Sequence, residues 1–231
     1  MRVAVTRPQA DGERTARALR ARGHDVLLAP LLRIESLPAD VSGDWSAVAV
    51  TSANALSASG DRIARLKRLP IFTVGRRTAA AATEFAEVHS ADGDVHDLVR
   101  LIVAEHRGGK LLYLAGEDRA ADLVGALAQH GIAGEMRIVY RAVAVPYPEP
   151  LVAALSENTL DAVLHFSRRT AEIFLAGARA AQIERAALTA VHFCLSAHVA
   201  EPLRSAGAAR LEVAPHPDEG SLLGLLERPG P

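Results

Sequence analysis

The 231-residue chain has one cysteine, Cys194. An internal disulfide is therefore excluded, and a cysteine-ligated metal site lacks its donors. Aromatic residues make up only 4%, too few for the stacking platforms that hold single-stranded nucleic acid. Charge is nearly balanced, with 26 Lys and Arg against 27 Asp and Glu and a formal net charge of -1. Without a global basic field, neither nucleic acid nor an anionic membrane surface is an expected partner. An anionic ligand has to be held by local arginines and backbone N–H groups. No apolar run approaches the roughly 20 residues of a membrane-spanning helix. Met1-Arg2-Val3-Ala4-Val5 enters a strand directly, with no leader pattern, so a reducing, cytoplasmic location is expected.

Chemical signatures are also few. No Gly-rich dinucleotide fingerprint follows a strand, and Gly108-Gly109-Lys110 lacks the rest of a phosphate loop. The nine histidines are scattered without metal-ligand spacing. No serine elbow occurs. Cys194, beside Phe193, reads as a small core hydrophobe.

What remains is an ordinary globular composition, 49% hydrophobic and 23% charged, in which strand and helix patterns alternate. Strands are expected at 3–6, 24–29, 47–50, 71–74, 87–89, 110–114, 132–140, 160–166, 190–195 and 210–213. Helices are expected at 12–22, 54–66, 79–85, 95–106, 118–130, 151–155, from beyond Thr170 to about 179, at 197–205 and at 219–227, with Asp94 and Asp218 as N-caps. This alternation predicts parallel sheets in doubly wound lobes.

The pattern repeats. Ala47-Val48-Ala49-Val50-Thr51-Ser52 matches Ala162-Val163-Leu164-His165-Phe166-Ser167, and Phe72-Thr73-Val74-Gly75 matches Phe193-Cys194-Leu195-Ser196. The short βαβ unit at 3–29 resembles that at 110–140. Two stretches break the alternation: 136–145, running into Pro146-Tyr147-Pro148-Glu149-Pro150, and 31–38, ending at Pro38. They predict two crossings, near 30–38 and 138–148. The chain is thus expected to form two flavodoxin-like α/β lobes joined by a two-stranded linker. Residues 36–140 are inserted into an outer lobe of 1–33 plus 146–231. The cleft between lobes is the default ligand site.

Parallel sheets bind ligands at the carboxyl ends of their strands. Thr51, Ser52 and Asn54, then Gly75, Arg76 and Thr78, follow two strands of the insert. Arg7, Ser167, Arg168 and Ser196 follow strands of the outer lobe. Arginine at a helix N-terminus opposes the helix dipole by roughly 0.3–1 kcal/mol, so repeating it there makes sense if an anion docks between. The alternative for the serines is plain helix capping. Tyr140, late in its strand, either packs its ring or offers a phenol to a ligand.

Several segments in order resemble the uroporphyrinogen-III synthase family. They are Val3-Ala4-Val5-Thr6-Arg7-Pro8, Pro30-Leu31-Leu32-Arg33-Ile34-Glu35, Val48-Ala49-Val50-Thr51-Ser52-Ala53-Asn54-Ala55, Val74-Gly75-Arg76-Arg77-Thr78-Ala79, Val139-Tyr140-Arg141-Ala142 and Phe166-Ser167. Together they span most of the chain. Ser196-Ala197-His198-Val199 departs from the family pattern. The resemblance implies a lyase that takes hydroxymethylbilane, removes its terminal hydroxyl as water, inverts ring D and closes uroporphyrinogen III. It implies no metal or organic cofactor. Tyr140 matches the family's cleft tyrosine, with Thr51, Ser52 and Ser167 as carboxylate contacts. A monomer is expected. The alternative is a non-catalytic tetrapyrrole-binding or regulatory relative.

Overall fold

The computed structural model describes residues 1–119 and 121–227. Its strands, in chain order, are β1 (Arg2–Val5), β2 (Asp25–Leu28), β3 (Leu32–Ser36), β4 (Ala47–Val50), β5 (Pro70–Thr73), β6 (Glu87–Ser90), β7 (Leu111–Gly116), β8 (Gly134–Ala144), β9 (Ala162–His165), β10 (Val191–Cys194) and β11 (Leu211–Val213). The helices are α1 (Gln9–Arg20), α2 (Ala53–Ser59), α3 (Arg76–Ala80), α4 (Val95–Glu105), α5 (Leu123–Ala128), α6 (Glu149–Ser156), α7 (Arg168–Ala180), α8 (Glu184–Ala187), α9 (Ala197–Ser205) and α10 (Glu219–Gly224).

The chain divides into two compact units, Met1–Arg33 with Val143–Pro231, and Ile34–Ala142. One sheet has the order β11-β10-β9-β1-β2, the other β3-β8-β7-β4-β5-β6. Every pairing in the first is parallel, as are those from β8 to β6 in the second. The second sheet therefore carries six strands, one more than the repeat alone gives, because β3 lies beside β8. The bonds Leu37 N to Val139 O and Val145 N to Leu31 O run in opposite senses along the two strands, which makes that pair antiparallel.

Leaving β3 aside, both sheets have one plan. A short unit (β1-α1-β2, or β7-α5-β8) lies beside a three-strand unit (β9, β10, β11, or β4, β5, β6). The short unit comes first in one part of the chain and last in the other. Helices cover both faces, so the central strands read as unbroken apolar runs. All four residues of β4 and of β9, and all six of β7, are buried. Val3 and Val5 pack on one face with Leu19 and Leu222. Ala4 packs on the other with Phe174 and Leu203. No helix among the described residues is long and apolar enough to cross a membrane.

Several helix boundaries differ from expectation, each for a local reason. Helix α1 begins at Gln9 and contains Gly12, which lies so close to β2 that a Cβ there would stand 2.6 Å from Leu28 Cδ1. That glycine serves close packing, not a helix start. The stretch after Ser52 is broken at Gly60, φ +51°, and continues as a 3₁₀ helix, Gly60–Arg68. Helix α3 starts at Arg76 and stops at Ala80, because Phe85 turns into the core and Ala86 N bonds Lys67 O. Helix α5 begins at Leu123 and not at 118, because Asp122 caps it through Gly125 N at 3.0 Å. Asp94 and Asp218 cap their helices as expected. The short α8 has no counterpart in the sequence reading. Pro202 lies inside α9, whose bounds stand as expected.

Two buried polar clusters fix the first unit. Arg7, 8% exposed, lies between Asp11 (3.5 Å) and Glu219 (3.3 Å), bonds Thr15 Oγ1 at 3.2 Å and stacks on the Phe166 ring at 4.0 Å. Burial pushes the Glu219 carboxyl up, but Thr15, Arg7 and Arg14 outweigh it and hold it below the usual carboxylate range. Arg7→Ala leaves these carboxylates without their buried cation, and should cost about 3 kcal/mol by denaturant unfolding. A loss under about 1 kcal/mol would take away its structural role.

The second cluster is His165 and His192, both fully buried against Phe174. The Ala187 carbonyl only accepts, so His192 Nε2 carries a hydrogen to it at 3.1 Å. His192 Nδ1 then accepts from His165 Nε2 at 3.0 Å. Burial lowers His192 to about 4 and holds His165 well below its ordinary value, with His192 adding to it. Because the folded pKa is depressed, this stabilisation is complete above about pH 6.5 and is lost on acidification. Each histidine contributes up to about 1.4 kcal/mol per pH unit. The pair His165→Leu and His192→Leu should flatten the fall in unfolding free energy between pH 7 and pH 5. An unchanged fall would show that other groups set it.

Candidate active site

In an open parallel sheet the ligand crevice lies at the carboxyl ends of the strands, where the strand order reverses. In the insert that point is between β7 and β4. Thr51 follows β4, and its hydroxyl lies 3.0 Å from the Tyr113 hydroxyl on β7. Ser52 is the N-cap of α2, its Oγ accepting from Asn54 N at 3.2 Å. The β4–β7 register, with Val50 opposite Leu114, brings Ser52 level with Gly116. Gly116 in turn lies opposite Tyr140 on β8. The structure thus brings Thr51, Ser52 and Tyr140 to one edge of one sheet. Asn54, half-buried, stands in the first turn of α2.

Beyond β5, Gly75 is the N-cap of α3 and has open space where a Cβ would stand. Arg76 and Arg77 lie in the first turn of this helix, not in a loop before it. Arg76 is exposed and 3.2 Å from Asp92. Thr78 is buried.

In the other unit the switch point is between β1 and β9. Ser167 caps α7, accepting from Thr170 N at 3.1 Å, and its Oγ lies 2.7 Å from Thr170 Oγ1. Ser196 caps α9 through Val199 N at 3.4 Å. Ser52, Ser167 and Ser196 are therefore all caps. Capping uses the oxygen as an acceptor, so it does not by itself spend the O–H hydrogen, which can still donate to an anion. Arg168 is paired with Glu172 at 2.8 Å one turn along α7.

The arginines at strand ends do not behave alike. Arg7 is a buried ion-pair centre held by Asp11 and Glu219, a correction to its reading as a ligand contact. Its acidic partner Glu219 comes from a helix more than 200 residues away, and no local signal reveals that. Arg76 and Arg168 keep substantial exposure. Cys194 is buried and burial pushes its thiol up to about 12, in keeping with a core hydrophobe. Among the described residues no group of three or more His, Cys, Asp or Glu is placed to hold a metal ion. No local sequence signal marks Gly116 as a partner of Tyr140. Only the register across β7 and β8 shows it.

Comparisons with known proteins bear on the fold and the family. The family model described as uroporphyrinogen-III synthase HemD matches residues 13–224. The crystal structure of uroporphyrinogen-III synthetase from Helicobacter pylori superposes with a TM-score of 0.65 at 17% identity, covering 98% of this chain and 99% of that one. A mutant uroporphyrinogen III synthase from the extremely thermophilic bacterium Thermus thermophilus gives 0.54 at 19% identity, covering 99% and 98%. No curated protein sequence gives a significant match. The structural likenesses establish a shared fold, and the family match over nearly the whole length establishes that this chain belongs to the uroporphyrinogen-III synthase family.

Proposed function

We propose that the protein is a cyclising lyase that converts hydroxymethylbilane to uroporphyrinogen III, with loss of water and inversion of ring D. The family match over residues 13–224 carries this reading. The phenol at the carboxyl edge of the insert supports it.

The chemistry asks little of the protein. A pyrrole nitrogen supplies the electron pair that breaks the terminal carbon–oxygen bond. The departing oxygen needs a proton, and Tyr140 Oη donates it, so hydroxide leaves as water. Electrons flow back through a spiro intermediate as ring D inverts. Ring closure then releases a pyrrole proton, which restores the phenol. The hydroxyl hydrogens of Ser52, Ser167 and Ser196 donate to substrate carboxylates, as do Thr51 and N–H groups of the first helical turns. Gly75 lets a carboxylate approach its backbone, and Asn54 and Thr78 add polar groups in the first turns of α2 and α3. Arg76 and Arg168 add positive charge. Holding the chain folded is most of the task.

Freshly generated hydroxymethylbilane incubated with the protein should yield the type III isomer by isomer-resolved chromatography. Type I alone, with or without tight product binding, would sink the reading as an enzyme. Tyr140→Phe should lower turnover by about 10²-fold with the unfolding midpoint unchanged; undiminished turnover assigns Tyr140 to packing. Arg76→Ala and Arg168→Ala should each raise KM roughly two- to fivefold, with the parent's affinity weakening as salt rises. A salt-insensitive KM would remove the arginines from binding.

A further inference from the structure

The pairing of β7 with β8 is irregular at its carboxyl end. Ala115 lies opposite Ile138 but Gly116 lies opposite Tyr140, so Val139 is an extra residue in β8. Side chains alternate along a regular strand. Met136, opposite Tyr113, packs in the same core layer as Tyr113 and Ala115. In an unbroken ladder Tyr140 would follow Met136 onto that layer. The extra residue re-aims it: Val139 and Tyr140 both pack on the opposite layer, with Leu112 and Leu114.

Gly116, two residues beyond Leu114, lies on that same face. A Cβ there would stand 2.6 Å from Tyr140 Cζ, 2.8 Å from its hydroxyl oxygen and 3.0 Å from Cε2. Gly116 is not among the glycines with positive φ, so its backbone does not require glycine. The ring does. The bulge is also held on both sides, with Leu37 N donating to Val139 O at 2.8 Å and Glu117 N to Tyr140 O at 2.9 Å.

We infer that Gly116 is a positioning residue for the phenol of Tyr140. Its missing side chain and the Val139 bulge together set where that hydroxyl stands at the carboxyl edge of the sheet. The inference rests on the reading of Tyr140 as proton donor. Any side chain at 116 displaces the ring by on the order of 1 Å, and a misplacement of that size costs about 10²-fold in rate.

The test is Gly116→Ala in the full chain, read by steady-state kinetics and by NMR of protein labelled with carbon-13 at tyrosine Cζ. The Tyr140 resonance is assigned by its loss in Tyr140→Phe. Gly116→Ala should lower kcat about 10²-fold with KM changed less than about threefold, and should move the Tyr140 resonance but not that of Tyr147. In the Tyr140→Phe background the same substitution should lower kcat no further. Parental kcat with a moved resonance would overturn the inference. So would a lost kcat with an unmoved resonance, or an equal further loss in the Tyr140→Phe background. Undiminished turnover in Tyr140→Phe alone sinks the donor reading instead, whatever Gly116→Ala does. If Gly116→Ala does not fold, Gly116→Ala with Tyr140→Ala should recover folded protein, and failure to recover it would also overturn the contact.

Discussion

A parallel strand packed between two helical layers has no side chain free for chemistry except beyond its end. That constraint governs both units. Strands β4, β7 and β9 are buried throughout, and Val3, Ala4 and Val5 of β1 are fully buried too. Hydroxyls, glycines and the phenol accordingly collect at the carboxyl edge, where chain reversal leaves a crevice. Some strand-end groups are still spent on the fold. Thr6 Oγ1 donates to Leu164 O across the β1–β9 switch point, and Thr73 Oγ1 donates to His89 O.

Polar groups at strand ends therefore divide by what the neighbouring chain offers them. Arg7 faces Asp11, Thr15, Glu219 and the Phe166 ring and becomes part of the core. Arg168, which also follows a strand, pairs with Glu172 on its own helix and stays partly in water. Identical residue types in equivalent sequence settings thus acquire unlike roles. The sorting is set by Glu219, which no reading of residues 1–12 could supply. Serines are more uniform: Ser52, Ser167 and Ser196 all cap helices, and a capping oxygen leaves its hydrogen for a ligand.

The internal repeat explains why one plan appears twice with its parts in different chain order. Each sheet sets a short βαβ unit beside a three-strand unit. The switch point in each falls between the two. Equivalent edges therefore carry equivalent residues, Thr51-Ser52 in one unit and Phe166-Ser167 in the other. The phenol has no such twin: Ala29 and Pro30 follow β2, where Tyr140 stands on β8. At its edge β8 gains the extra residue that turns an aromatic ring over a glycine.

Periodicity and turn chemistry by themselves determined the alternation of strands and helices, the repeat, the caps at Asp94 and Asp218, and the burial of Cys194. These depend on local spacing, which the chain carries at every position. Helix length was less legible. Residues 79–85 and 118–122 have helical composition, yet Phe85 turns into the core and Asp122 takes the cap. Only the tertiary structure decided that Arg7 is internal, that His165 and His192 share one hydrogen across 27 positions, and that Gly116 is where Tyr140 lies. Each of these is a contact between groups far apart in sequence, and its energy depends on register and burial. Those quantities belong to the packed strands and not to either segment alone.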